Sequence, residues 1–165
     1  MDEFGKIYTE YFNDIYLYIL RLSGDKTVAE EITSDTFFKA MRSIKKFRGE
    51  CELRVWLCQI AKNCYFSHYK KAYKTEELNE EIADTSAPPD ELVADKEQAA
   101  QIRKELHFLP EPYKEVFMWR IFAQLSFKQI GTIFNKSENW ACVTYHRARK
   151  MIIERLEKRE NGKHM

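Results

Sequence analysis

Cysteine is scarce in this 165-residue chain: four residues, at positions 51, 58, 64 and 142, with no CxxC pair among them. Such spacing gives neither a disulfide framework nor a paired-thiolate zinc motif. Cys64/His68 and Cys142/His146 each stand four apart, which on a helix would put two metal-capable groups on one face. A structural zinc needs about four converging ligands, and the two pairs are far apart in sequence. Reduced thiols acting as small hydrophobes, with no metal, are the expectation. Long apolar runs are missing as well; none approaches the roughly 20 residues of a membrane span. The opening Met1-Asp2-Glu3-Phe4-Gly5-Lys6 is mixed in charge and leads into no apolar signal segment, so a cytoplasmic location is expected. No segment sustains the period-two alternation of a half-buried strand. P-loop, GxSxG and HExxH signatures are all absent, and the four histidines have no evident acid–base partners. Neither an enzyme nor a cofactor is expected.

What is present is a hydrophobic content of 44%, with 14% aromatic residues, a composition that folds. The length suits one ordinary domain or two small helical ones. A net charge of +1 conceals an uneven distribution. From Glu76 to Glu97 nine acids face Lys96 alone, a net −8 that leaves +9 on the remainder. Between Arg42 and Lys74, nine Lys and Arg face two Glu. Basic, acidic and basic blocks in that order fit two polyanion-binding parts on a linker, and equally fit solvated helix faces.

Periodicity reads as helix throughout. Phe4, Ile7, Tyr8, Tyr11, Ile15, Tyr18, Ile19 and Leu22 mark one face of a first helix, ended by Ser23-Gly24-Asp25. Thr27 to Glu30 has the form of a capping box, opening a second helix with Val28, Ile32, Thr36/Phe37, Met41 and Ile44 inward. Phe47-Arg48-Gly49-Glu50 breaks it, and a third helix carries Leu53, Trp56, Leu57, Ile60, Ala61 and Cys64 on a stripe, ending near Tyr73. Residues 75–89 lose periodicity, close on Ala87-Pro88-Pro89 and read as a flexible acidic linker. Helix resumes near Asp90 and runs to Phe108. Pro110 and Pro112 bracket the next start, with Tyr113, Val116, Phe117 and Arg120/Ile121 inward. The fold class is all-α: three helices, a linker, then four.

Leu109 to Lys150 carries a further pattern. Ser126 and Gln129 form a capping box for a short helix reaching about Phe134. Gly131 in its middle costs about 1 kcal/mol relative to Ala, a choice explained by a close backbone crossing. Asn135-Lys136 makes the turn, Asn tolerating left-handed backbone, and Ser137 caps a long helix. Ala141, Tyr145, Ala148 and Ile152 fall inward; Cys142, Val143, His146, Arg147, Arg149 and Lys150 face out. This is the helix-turn-helix geometry that lays a basic helix in the major groove of DNA. The competing reading is an αα-hairpin with an ordinary charged face.

Four segments in this order resemble the extracytoplasmic-function (group 4) sigma factors of bacterial RNA polymerase, over nearly the whole chain. They are Ala29-Glu30-Glu31-Ile32-Thr33-Ser34-Asp35-Thr36-Phe37-Phe38-Lys39-Ala40, Phe47-Arg48-Gly49-Glu50, Trp56-Leu57-Cys58-Gln59-Ile60-Ala61-Lys62-Asn63, and Leu109 to Phe117. The closing His146-Arg147-Ala148-Arg149-Lys150 also matches. The resemblance implies a region 2 three-helix bundle over residues 1–74, the linker over 75–89, and a region 4 helix-turn-helix over 90–165. It implies polymerase contacts to the β′ clamp helices by Glu31, Ser34, Asp35 and Phe38, and to the β flap. It further implies promoter DNA as ligand and an anti-sigma factor as partner, often a membrane protein.

Phe47, Arg48, Arg54, Lys62, Asn63, Tyr65, Phe66, Tyr69 and Lys70 are the expected minus-10 residues, with Lys71 as a further cation. Strand opening needs aromatic faces for unstacked bases and cations along the phosphates. Trp56 stands between two roles, core side chain or base platform. The expected minus-35 residues are Ser137, Asn139, Trp140, Cys142, Val143, His146, Arg147, Arg149 and Lys150. Relatives often have Lys or Arg where Cys142 and Thr144 stand, and Gly-Thr in place of Asn139-Trp140. Promoter preference is therefore expected to differ at Trp140, Cys142 and Thr144. The alternative function is a free-standing helix-turn-helix regulator whose N-terminal helices sense a ligand or dimerise.

Overall fold

The structure is a computed structural model and describes residues 3–49, 51–76 and 96–163. Among the described residues there are seven α-helices and no strand: α1 (Glu3–Ser23), α2 (Lys26–Ser43), α3 (Leu53–Glu76), α4 (Lys96–Leu106), α5 (Tyr113–Ile121), α6 (Phe127–Phe134) and α7 (Glu138–Lys163). A 3-10 turn, Ile44–Lys46, follows α2. The chain divides into two compact units, Met1–Pro89 and Asp90–Met165. Helix α3 runs three residues past Tyr73. The rest of the expected linker, and residues 90–95, lie outside the described residues.

In the first unit, α2 packs against both α1 and α3. The core combines Ile15, Tyr18, Ile19 and Leu22 of α1 with Ala29, Ile32, Phe37 and Ala40 of α2 and Val55, Leu57, Ala61 and Cys64 of α3. Buried Thr33 and Thr36 donate their hydroxyls to the carbonyls of Ala29 (2.6 Å) and Ile32 (2.7 Å), so neither is left unsatisfied. Gly24 takes a positive φ of 72° between α1 and α2. The cap of α2 differs from the expected Thr27–Glu30 box. Asp25 caps instead, its Oδ1 accepting from the backbone N–H of Thr27 (2.8 Å) and Val28 (3.3 Å). Met41 is exposed. The buried stripe of α2 passes through Phe37 and Ala40, and one more residue turns the helix about 100° away from it. Tyr8 is also exposed, although its ring meets the edge of Phe37 at 5.2 Å.

In the second unit α7 is the common partner of α4, α5 and α6. Val116, Phe117, Met118 and Trp119 are all buried, four in a row. Such a run means that α5 is enclosed on more than one side, by α7 and by α6. The one-stripe expectation therefore misplaced Ile121, which is exposed, and Tyr113 and Arg120, which are half-buried. Far along α7, Arg155 (2.5 Å) and Arg159 (2.6 Å) close on the fully buried carboxylate of Glu105 on α4. A buried carboxylate is tolerable only when paired in this way.

Candidate nucleic-acid interface

The second unit presents a helix whose orientation is fixed by a chain of local contacts. Ser126 and Gln129 form the reciprocal capping box: the Gln129 N–H donates to Ser126 Oγ (3.0 Å) and the Ser126 N–H to Gln129 Oε1 (2.8 Å). Asn135 ends α6 in the left-handed region, φ 57°. The Lys136 N–H donates back to the Gly131 carbonyl at 2.8 Å. A Cβ on Gly131 would stand 2.7 Å from the Lys136 carbonyl oxygen and 2.9 Å from that of Ser137. The crossing is thus made by the turn leading into α7. Ser137 Oγ accepts the Trp140 N–H at 3.0 Å and caps the helix.

Packing then sets the face. Ala141, Ala148 and Ile152 are buried, and the Tyr145 ring stacks on Phe117 at 5.9 Å, inclined by 14°. Phe127 lies 5.7 Å from Tyr145, while the Arg120 guanidinium sits 4.1 Å from the centre of the Phe127 ring and donates to the Leu125 carbonyl at 3.1 Å. On the opposite side Asn139, Val143, His146, Arg147, Arg149 and Lys150 are exposed, and Cys142 is half-buried. Thr144, where promoter preference is expected to differ, is buried. Two expected readers are turned to other contacts. The Trp140 ring turns onto Phe134 at 5.2 Å, closing the end of α6. Ser137 has its hydroxyl in the cap.

In the first unit the expected aromatic and basic residues separate. Tyr65 is buried, its ring 5.3 Å from Phe66 and 6.1 Å from Tyr69, which makes it core and not a base platform. Arg54 turns inward to Asp14 on α1, its Nη2 donating to Oδ1 at 3.2 Å and its Nε to the other oxygen, so it ties helices together. Exposed Arg48, Asn63 and Lys70, with half-buried Lys62, Phe66 and Tyr69, remain on the surface; the Lys71 side chain lies outside the described residues.

Trp56 is off the buried stripe. It precedes Asn63 and Lys70 at seven-residue intervals, so the three share one face of α3. Phe47 packs on its ring at 5.0 Å. That interval was the available sequence signal, obscured because a bulky aromatic next to Leu57 reads as core. Beneath this face burial pushes the Cys58 thiol up to about 12, which makes it an inert hydrophobe.

On α2 the expected protein contacts come together. Glu31, Ser34, Asp35 and Phe38 are all exposed, and Phe38 is 57% accessible. The Arg42 guanidinium lies 5.7 Å from the Phe38 ring, and Met41 extends the apolar patch.

Residues 7–75 match the sigma-70 region 2 family. The chain is 28% identical over 162 residues to the RNA polymerase sigma factor YlaC of Bacillus subtilis, covering 95% of this chain and 94% of that protein. It is also 28% identical over 153 residues to the extracytoplasmic-function sigma factor SigM of the same organism, at 89% and 91% coverage. Its relatives along nearly the whole chain include RNA polymerase sigma factors of the extracytoplasmic-function group. The fold of this chain is shared with the sigma factor RpoE of Bartonella quintana, solved in complex with the anti-sigma factor NepR. That match has a TM-score of 0.65 at 19% identity, over 95% of this chain and 98% of the other. Among the described residues, no helix is long and apolar enough to cross a membrane.

Proposed function

We propose that this chain is a sigma factor that directs core RNA polymerase to its promoters from the cytoplasm, reading DNA in two places and catalysing nothing itself. Residues 1–74 serve as region 2 and 90–165 as region 4, joined by the acidic stretch 75–89. The observation that carries the reading is the face of α7. A helix clamped by Gly131, the Ser137 cap and the Tyr145–Phe117 stack turns an exposed basic surface outward. A structure of this kind suits a major groove. Arg147, Arg149 and Lys150 supply phosphate contacts, with Asn139, Cys142, Val143 and His146 toward the bases of the minus-35 element.

Region 2 opens the minus-10 element. Phe47 and Trp56 offer aromatic surface beside Asn63 and Lys70, and Arg48, Lys62, Phe66 and Tyr69 extend it. Unstacked bases rest on such surfaces while cations follow the backbone. Glu31, Ser34, Asp35 and Phe38 dock on the β′ clamp helices, and region 4 meets the β flap. Either half alone binds weakly at physiological salt. Tethering makes the second contact intramolecular, and polymerase sets the spacing. An anti-sigma factor, soluble or membrane-anchored, holds the protein inactive by covering these docking faces.

Run-off transcription with core polymerase tests the assignment. Arg147→Ala is expected to weaken dependence on the minus-35 element, and Asn63→Ala to slow opening at minus-10 as read by permanganate reactivity of unpaired thymines. Wild-type transcription by both variants, or tight specific binding of a short duplex by the sigma factor alone with no transcription on adding core enzyme, would overturn it.

A further inference from the structure

The outward face of α7 includes an exposed valine. At 3.6 residues per turn, Asn139, Val143, His146 and Lys150 fall within about 60° of one another, opposite the buried stripe of Ala141, Ala148 and Ile152. Arg147 and Arg149 stand roughly 40–60° beyond the two edges of that strip. A helix in a major groove turns its central strip to the base edges and its flanks to the phosphates on either side. At the edge of this strip nearest Arg147 stands Val143, a β-branched side chain 39% exposed.

Val143 is exposed, while its ring-bearing neighbours Tyr145 and His146 pack with Phe127 and Trp140 with Phe134. Valine also lowers helix propensity slightly relative to the straight-chain polar residues that usually fill exposed positions. In the major groove the largest apolar group on the base edges is the 5-methyl of thymine, with only the C5–H of cytosine as a smaller non-polar position among the hydrogen-bond donors and acceptors. Valine can neither donate nor accept, and set against any polar edge it would leave that edge unpaired.

We infer that Val143 is a specificity-determining residue that reads the 5-methyl group of a thymine in the minus-35 element. Its neighbour one turn earlier, Asn139, has the amide that pairs with the N6 and N7 edge of adenine. Promoters of this sigma factor therefore carry an A·T pair opposite Val143. The inference rests on the proposed seating of α7 at minus-35 and sharpens it to one base and one chemical group.

Holoenzyme assembled from the full-length chain and core polymerase would first select its minus-35 element from a randomised duplex library. Each thymine in that element would then be replaced singly by deoxyuridine, which deletes the methyl group alone and leaves the protein untouched. Binding to one of these duplexes is expected to fall about fourfold, the worth of one buried methyl group. In Val143→Ala holoenzyme that same substitution should have no effect, and the thymine preference at that position should fade on reselection. Equal binding to every deoxyuridine duplex, or an undiminished loss with Val143→Ala, would overturn the role of Val143 while leaving minus-35 reading intact. If selection returned no minus-35 preference at all, the promoter assignment of α7 would fall and the inference with it.

Discussion

Replacing Gly131 by alanine tests the geometry on which the seating of α7 depends. In an exposed helix this change stabilises by about 1 kcal/mol, because glycine has more backbone freedom to lose. Here the new Cβ would stand 2.7 and 2.9 Å from two backbone carbonyl oxygens, those of Lys136 and Ser137. Ordinary contact begins near 3.4 Å, so the turn must withdraw by about half an ångström or more. The turn is not free to do so. The Lys136 N–H is bonded to the carbonyl of Gly131 itself, and Ser137 holds the first turn of α7. Overpacking by this one methyl group costs about 1–2 kcal/mol. Losing the carbonyl bond adds about 1 kcal/mol. Set against the propensity gain, the net change is a destabilisation of about 1–2 kcal/mol. Native-state hydrogen exchange resolves it locally. Amides of α6 and of α7 up to Tyr145 should exchange roughly five- to thirtyfold faster, while those of α1 to α3 stay unchanged. Unchanged or slower exchange in α6 would refute the steric argument, since the propensity term would then have won.

The buried Cys58 thiol, pushed up to about 12, should resist iodoacetamide at pH 8 while half-buried Cys51 and Cys142 are modified, as peptide mass mapping would report. Its folded value lies above the unfolded one, so its contribution is complete below pH 9 and declines as pH rises from about 9 toward 12; Cys58→Ala should flatten urea stability over that window. Arg54→Ala should lower the urea midpoint of the first unit, a loss of about 1–3 kcal/mol for a charged hydrogen-bonded pair, and Asp14→Asn should do much the same. If Arg54→Ala instead left stability intact and reduced only DNA affinity, the inward pairing would be wrong. Glu105→Ala should loosen the far end of α7 by about 1–3 kcal/mol, the worth of hydrogen bonds to a charged group, since the two half-exposed arginines left behind are taken up by water; thermal unfolding would detect it, and an unchanged midpoint would count against the pairing.

The course of the chain was largely legible beforehand. The helix-turn-helix could be placed almost to the residue, because caps and turns are local chemistry. Ser126 with Gln129, Asn135 at positive φ and Ser137 each act over four residues or fewer. The outward side of α7 was equally readable, since a single dominant stripe fixes it. Region 2 was harder. Trp56 and Tyr65 are both large and aromatic on α3, yet the first lies on the surface strip with Asn63 and the second in the core.

By itself, then, the sequence determined the all-α class, the order of seven helices, the helix-turn-helix and the basic face of α7. All of these rest on interactions between residues a turn or two apart. Only the tertiary structure decided which side of each helix is covered when more than one neighbour packs against it. It enclosed α5 over four consecutive residues, drew Arg54 across to Asp14, buried Thr144 and Tyr65, turned Trp140 onto Phe134 and left Val143 exposed on the outward side of α7. Burial is a property of pairs of helices far apart in the chain, and periodicity in one of them carries no record of where the other will lie.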